Sequence, residues 1–222
     1  MFSAGTYVWA DTELAQEVDL GALRDRAPDG KGTNYLIVGS DSRAGLSERA
    51  RKELRTGSAE GRRTDSMILL HTGANGTTMV SLPRDSWVTV PAYVRPETGR
   101  GYDAEPDKLN AAFSLGGPDL LVRAVESNTG LHVDHYAEIG FAGFVSVVDA
   151  VVDKDTGLRD LMTLFRAMRG VTAGGGRQLN VPVSDPALAT SKGSAVKWDE
   201  RRARTLFTEL RDDRPVTLPR EG

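Results

Sequence analysis

Apolar and polar positions along this chain switch repeatedly between a period of two and a period near 3.6, and the switches mark out its elements. Tyr35-Leu-Ile-Val38 is a short apolar run closed by Gly39, which predicts a buried strand. Met67-Ile-Leu-Leu-His71 predicts a second strand and Thr77-Thr-Met-Val-Ser-Leu82 a third, with Asn75-Gly76 between them as a two-residue hairpin signal. Pro83 ends the third strand, because proline cannot donate to a central ladder. Residues 44–62 are charged, and Ser47 to Leu54 reads as an exposed helix broken at Thr56-Gly-Ser58. Proline and glycine recur over residues 91–107, which predicts a long loop of the kind that often carries function.

The second half repeats the alternation. Pro118 suits a first helical turn, Asp119 favours a helix N-terminus, and Gly130 suits the position just past its end. Tyr136 to Phe141 alternates like a strand, and Phe144, Val145, Val148 and Val151 then recur at helical spacing. Leu158, Leu161, Met162, Phe165 and Met168 make another helix face, and Arg177 to Val183 another strand. Ala203, Leu206, Phe207 and Leu210 close the chain with an amphipathic helix. This order predicts a layered α/β domain over residues 34–222, preceded by a polar, irregular segment over residues 1–33.

Composition narrows the function. With 28 basic and 31 acidic residues among 222, the net charge is −3, against the strongly basic face that nucleic-acid binding requires. An anionic ligand must therefore be met by a local cluster. There is no cysteine, so disulfide scaffolds, zinc-thiolate sites and thiol nucleophiles are excluded. No apolar run approaches the roughly 20 residues that span a membrane. The opening Met1 to Trp9 reads either as the tail of an anchor or as a first strand.

Candidate chemistry gathers at predicted strand ends. Gly39-Ser-Asp-Ser-Arg43 follows the first strand, so Asp41 and Arg43 lie where α/β sheets collect ligands. Arg63-Thr-Asp-Ser66 precedes the second strand; if that strand is antiparallel to the first, Asp65 approaches Asp41. Two carboxylates with bound water suit magnesium, phosphate oxygens completing the shell. Taken singly, each also reads as a capping carboxylate or a solvated ion pair. Ser81-Leu-Pro-Arg-Asp-Ser86 brings Arg84 back to the same edge, with a guanidinium fork that matches phosphate. Asp85 either orients Arg84 or caps a turn. Lys108-Leu-Asn110 offers an amine and an amide, although Lys108 alone also reads as a surface lysine. His71, His132 and His135 read as structural. No nucleophile elbow, Walker loop or dinucleotide fingerprint is present.

Asn34 to Arg43, Arg63 to Leu70, Val80 to Ser86, Lys108 to Phe113, Gly116-Gly-Pro118, and Asp134 through Asp149 together resemble the LytR–CpsA–Psr family in motif order, in an actinobacterial style. The resemblance implies an α/β/α sandwich around a mixed sheet. It also implies a phosphotransferase at the extracytoplasmic face of the cell membrane, held by an N-terminal anchor not contained in this chain. Such enzymes move a glycopolymer from a polyprenyl-pyrophosphate carrier to peptidoglycan. By resemblance Asp41 and Asp65 would hold Mg2+, and Arg43, Arg63, Arg84, Lys108 and Asn110 would contact the pyrophosphate, with Arg84 and Asp65 catalytic. The rival readings are a pyrophosphatase acting on the same lipid and a polyprenyl-phosphate-binding protein without turnover. The family normally continues after Asp149 with a Gly-Gly-Val turn, further strands and an arginine-rich motif. Here Ala150 to Lys154 runs into a segment resembling the later C-terminal part, so several tens of residues are missing near Val151–Asp153, by deletion or by omission from the sequence.

Overall fold

A computed structural model describes residues 20–40, 64–95, 97–139 and 176–218. In chain order these form β1 (Thr33–Ser40), β2 (Thr64–Gly73), β3 (Gly76–Leu82), β4 (Trp87–Val90), β5 (Tyr93–Val94), β6 (Gly101–Tyr102) and β7 (Glu105–Lys108). There follow helix α1 (Leu109–Thr129), β8 (His135–Ile139), β9 (Arg177–Asn180), β10 (Val183–Thr190), β11 (Gly193–Trp198) and helix α2 (Glu200–Arg211). The expected helices over 47–54, 144–151 and 158–168, and the apparent gap near 151–153, lie outside the described residues. No described helix is long and apolar enough to cross a membrane.

The central sheet has the order β8-β1-β2-β3-β9. β1 pairs parallel with β8 and β3 parallel with β9, while β2 runs antiparallel to both β1 and β3. The mixed sheet expected from the resemblance is therefore present, and four strands end at the edge where β2 begins. Alternation fixes the register. Leu36, Leu69, Val80 and Leu179 form one buried row, and Val38, Met67 and Leu82 the next. The same core takes in Leu121, Val122 and Val125 of α1 and Leu206, Phe207 and Leu210 of α2. Each such side chain contributes about 1.5–3 kcal/mol on burial.

Three local expectations change. The β2–β3 turn centres on Ala74 and Asn75, because Gly73 pairs with Gly76; Gly76, at φ 100°, opens β3 with the positive φ that closes the turn. Residues 91–107 are not an open loop. β4 pairs with β7 and β5 with β6, and Tyr93 stacks on Tyr102 at 5.1 Å, so paired strands occupy the proline-rich stretch. Helix α1 starts at Leu109 and breaks at Gly116 and Gly117, the latter at φ 68° and ψ −161°, a conformation essentially confined to glycine. Pro118 then opens its second half, and Gly130 closes it in the left-handed conformation as expected.

A buried carboxylate fastens the segment before β1 to this frame. Glu126, only 1% exposed, accepts from Arg26 Nε and Nη2, from the Ala27 amide at 3.0 Å and from the Val133 amide at 2.7 Å. Glu126→Ala leaves the Arg26 guanidinium without its partner and is expected to cost about 3–5 kcal/mol. Urea unfolding checks this, with a loss under about 1 kcal/mol counting against the staple.

His71 is buried at the sheet's other end. The Asn34 side-chain amide donates to the His132 carbonyl, so its Oδ1 accepts from His71 Nδ1 at 2.8 Å. Burial pushes the imidazole below its ordinary 6.5, with the charges of Asp213 and Asp134 pulling the other way. The unfolded chain therefore takes up this proton first. The His71 contribution to stability is complete above pH 6.5 and declines as pH falls below it. Unfolding free energy followed downward from neutral pH should fall in the wild type and fall less steeply in His71→Gln; parallel curves would reject the assignment.

Candidate anion site at the sheet edge

β3 stops at Pro83, and the chain turns at once. The Ser86 amide donates to the Pro83 carbonyl at 3.0 Å, and the buried Ser86 hydroxyl donates to the same oxygen at 2.6 Å. The three following carbonyls are all engaged. Arg84 O accepts from the Asn110 amide at 3.0 Å, Asp85 O from the Val196 amide at 2.8 Å, and Ser86 O from the Leu109 amide at 2.8 Å. Two orphan amides at the start of α1 are thereby satisfied by the turn, and Lys108, at the cap position, makes no side-chain cap. Trp198 completes the clamp. Its Nε1–H donates to Ser86 Oγ at 2.9 Å while its ring packs on Phe207.

This backbone brings three charged side chains together. Asp85 Oδ1 lies 3.1 Å from Lys108 Nζ, and Asp85 Oδ2 lies 3.4 Å from Arg84 Nε. Asp85 thus orients both cations, and the trio carries one net positive charge. Arg84 is 51% exposed, so the pairing serves geometry more than stability. Asn110 sits in the first turn of α1, one residue past Leu109. Of the residues singled out from sequence, Arg84, Lys108 and Asn110 share this corner.

Asp41, Arg43 and Arg63 lie outside the described residues, as does the side chain of Asp65. The backbone beside them is informative. Gly39 pairs with Ser66 but Ser40 pairs with Thr64, so Asp65 is the extra residue of a bulge at the start of β2. Bulges bend a strand and re-aim side chains next to sites. Gly39 is suited to this place: a Cβ there would stand 2.7 Å from Ser66 Oγ. Residue 41 follows Ser40 directly in the sequence. Among the described side chains there is no cluster of three metal-binding groups.

Sequence reasoning missed the clamp itself. Val196 and Trp198 belong to the β10–β11 hairpin, which was not anticipated; its one signal is the turn at Thr190-Ser-Lys-Gly193, where Gly193 takes φ 90°. Lys192 in that turn donates to Asp107 at 2.6 Å and to Glu105 at 2.9 Å, tying the hairpin to β7 and holding the Lys192 amine above its ordinary range.

Known proteins resemble this arrangement. The LytR_cpsA_psr family model matches residues 10–188. LcpB of Corynebacterium glutamicum, named for cell wall biosynthesis, is 46% identical over 146 residues, which cover 65% of this chain and 32% of that protein. TagU of Bacillus cereus, a polyisoprenyl-teichoic acid–peptidoglycan teichoic acid transferase, is 32% identical over 147 residues, 63% of this chain and 42% of that protein. The chain thus spans less than half the length of these relatives. B. subtilis TagT shares the fold at a TM-score of 0.50 and 16% identity, covering 85% of this chain and 96% of that structure. With the family model extending from the N-terminal segment through the sheet edge into β10, the chain belongs to the LytR_cpsA_psr family.

Proposed function

We propose that this chain is the donor-binding core of a phosphotransferase that moves a glycopolymer from a polyprenyl-pyrophosphate carrier to peptidoglycan at the outer face of the cell membrane. The observation that carries it is the Arg84–Asp85–Lys108 cluster at the edge where β1 and β3 end and β2 begins. The activity named for the TagU relative supports the same chemistry.

In this reading an acceptor hydroxyl attacks the phosphorus that bears the glycan. A new P–O–C bond forms, the P–O–P bridge breaks, and the bridging oxygen leaves on polyprenyl phosphate; the hydroxyl proton passes to a base or to solvent. Phosphoryl transfer asks the protein mainly to position the groups and stabilise charge. Arg84 supplies a fork for the non-bridging oxygens, with Lys108 as a second cation and the Asn110 side-chain amide as a donor. Arg43, three residues after Ser40, and Arg63, directly before Thr64, would add further positive charge for the same oxygens. Asp41 and Asp65 would hold Mg2+, which neutralises pyrophosphate oxygens when bound. Hydrolysis would need only water in place of the hydroxyl, and binding without turnover would need neither.

The full chain, given a polyprenyl-pyrophosphate glycan and a peptidoglycan acceptor, separates the three readings. Acceptor-linked product supports transfer, a free phosphate-ended glycan means hydrolysis, and a bound but unchanged donor means a binding protein. Arg84→Ala is expected to lower turnover by about 10²–10³, the cost of losing one preorganised charge donor, with the melting temperature within a few degrees of wild type. Turnover at the wild-type rate would remove Arg84 from the site. Asp41→Asn is expected to shift half-maximal activation by Mg2+ upward; a superimposable metal titration would strike Asp41 from the ligand set.

A further inference from the structure

The ribbon that rises from the candidate site ends in a second cationic feature that the transfer chemistry does not use. β4 and β7 leave the site at the Trp87–Lys108 pair and lead into β5 and β6. Tyr93 pairs with Tyr102 and the two rings stack, 10° from parallel. Two residues further on, the guanidinium groups of Arg95 and Arg100 lie 5.2 and 5.4 Å from the Tyr102 ring centre. By strand alternation all four side chains share one face of the ribbon. The tip is closed by backbone: Arg95 N donates to Arg100 O at 2.9 Å and Gly99 N to Arg95 O at 2.8 Å.

This pair differs from ordinary surface arginines in three respects. Among the described residues neither guanidinium has a carboxylate partner, although Glu97 and Asp103 lie on the same ribbon. Both are laid against one ring, whose other neighbour, Tyr93, belongs to the core and is 9% exposed. The ribbon is also fastened to α1, through Arg123 Nη2 to Ala92 O at 3.1 Å and through Asn128, which donates to Thr89 O at 2.8 Å and accepts from Thr89 N at 3.1 Å. Two like charges are thus carried against one ring at the tip of an anchored ribbon. That is a fork for a ligand bearing several anionic oxygens. The Tyr102 ring is already covered, so recognition rests on the guanidinium N–H groups rather than on sugar stacking. Arg95 lies eight residues from Trp87, hence within about 27 Å of the site.

We infer that Arg95 and Arg100 form an accessory subsite for an anionic segment of the glycan chain, one bearing phosphodiesters or uronate carboxylates, while its pyrophosphate end occupies the Arg84 corner. This rests on the transfer reading for the identity of the chain, but not for the binding itself. A membrane surface is the poorer fit. Val94, 63% exposed, points from the opposite face of the ribbon, and one valine is a weak insertion element.

The test is direct binding of the full chain to carrier-free glycans of matched length: a phosphodiester-linked polymer, a polyuronate and neutral dextran. The wild type is expected to bind one or both anionic polymers and not dextran. Arg95→Gln/Arg100→Gln should weaken that binding at least about tenfold, with Arg95→Lys/Arg100→Lys recovering part of it through charge alone. Which anionic polymer responds identifies the source of the charge. Unchanged affinity in the glutamine variant, or equal binding of dextran, overturns the subsite. So does loss of binding to phosphatidylglycerol vesicles with the glycans unaffected, which would assign the pair to a lipid surface. Turnover of a donor carrying one neutral sugar should be the same in wild type and the glutamine variant. If that donor is never turned over while anionic glycan binding still depends on the pair, the transfer reading fails and the subsite stands.

Discussion

The antiparallel pairing of β1 with β2, in a register that admits one extra residue at Asp65, is the constraint on which the rest of the sheet edge depends. Because the side-chain period of a strand is two, Leu36 opposite Leu69 and Val38 opposite Met67 can be buried together only in this register. A slip by one would turn both rows to the other face. The return through Gly76 extends the rows to Val80 and Leu82, and β9 extends the first to Leu179. Hydrophobic burial, a non-directional force, thereby delivers a directional result. The end of β1, the start of β2 and the end of β3 meet at one edge, and the bulge opposite Gly39 falls at that edge rather than within the buried rows.

Holding charged side chains at such an edge is a separate problem, because exposed ion pairs contribute little and are screened by salt. The fold solves it with main-chain hydrogen bonds. Arg84 O, Asp85 O and Ser86 O each accept an amide from another element, two from the start of α1 and one from β11. Burying the Ser86 hydroxyl would be costly without partners, yet it donates to Pro83 O and accepts from Trp198. The turn is therefore fixed before any side chain is considered, and Asp85 needs only to aim Lys108 and Arg84. The distribution of labour also gives the C-terminal part of the chain a defined place. Trp198 packs on Phe207, so the hairpin and α2 reach the sheet edge as a single support.

Much of this could be read from the sequence, and the failures have identifiable causes. The β1–β3 strands, the antiparallel turn between β2 and β3, the glycine end of α1 and the face of α2 all followed from periodicity and turn chemistry, which are local signals. Arg84 was placed at the sheet edge by strand direction alone. The residues over 91–107 were misjudged because proline and glycine there mark strand edges and tight turns within the β4–β7 and β5–β6 pairs. The early start of α1 was hidden because Lys108 gives no capping side chain; its amides are satisfied by carbonyls more than twenty residues upstream. The bulge at Asp65 had a cue, a glycine inside an otherwise apolar strand, but the cue needs the partner Ser66 to acquire meaning. Val196 and Trp198 left no cue of their own, since their contacts span about 110 residues of sequence.

Net charge and local charge also need to be kept apart. An overall charge of −3 excludes a broad basic face, yet the chain gathers positively charged side chains at both ends of one ribbon. At the lower end Asp85 sits between Arg84 and Lys108 and sets the direction of both. At the upper end no carboxylate among the described residues intervenes, and two guanidinium groups share an aromatic ring. Elsewhere on the same ribbon Glu105 and Asp107 are taken up by Lys192, so they do not quench either end. In a protein of net negative charge, attraction of a polyanion has to rest on local positive charge such as that at the two ends of the β4–β7 ribbon. Its anchorage to α1 makes the separation of the two ends a property of the fold rather than of side-chain motion.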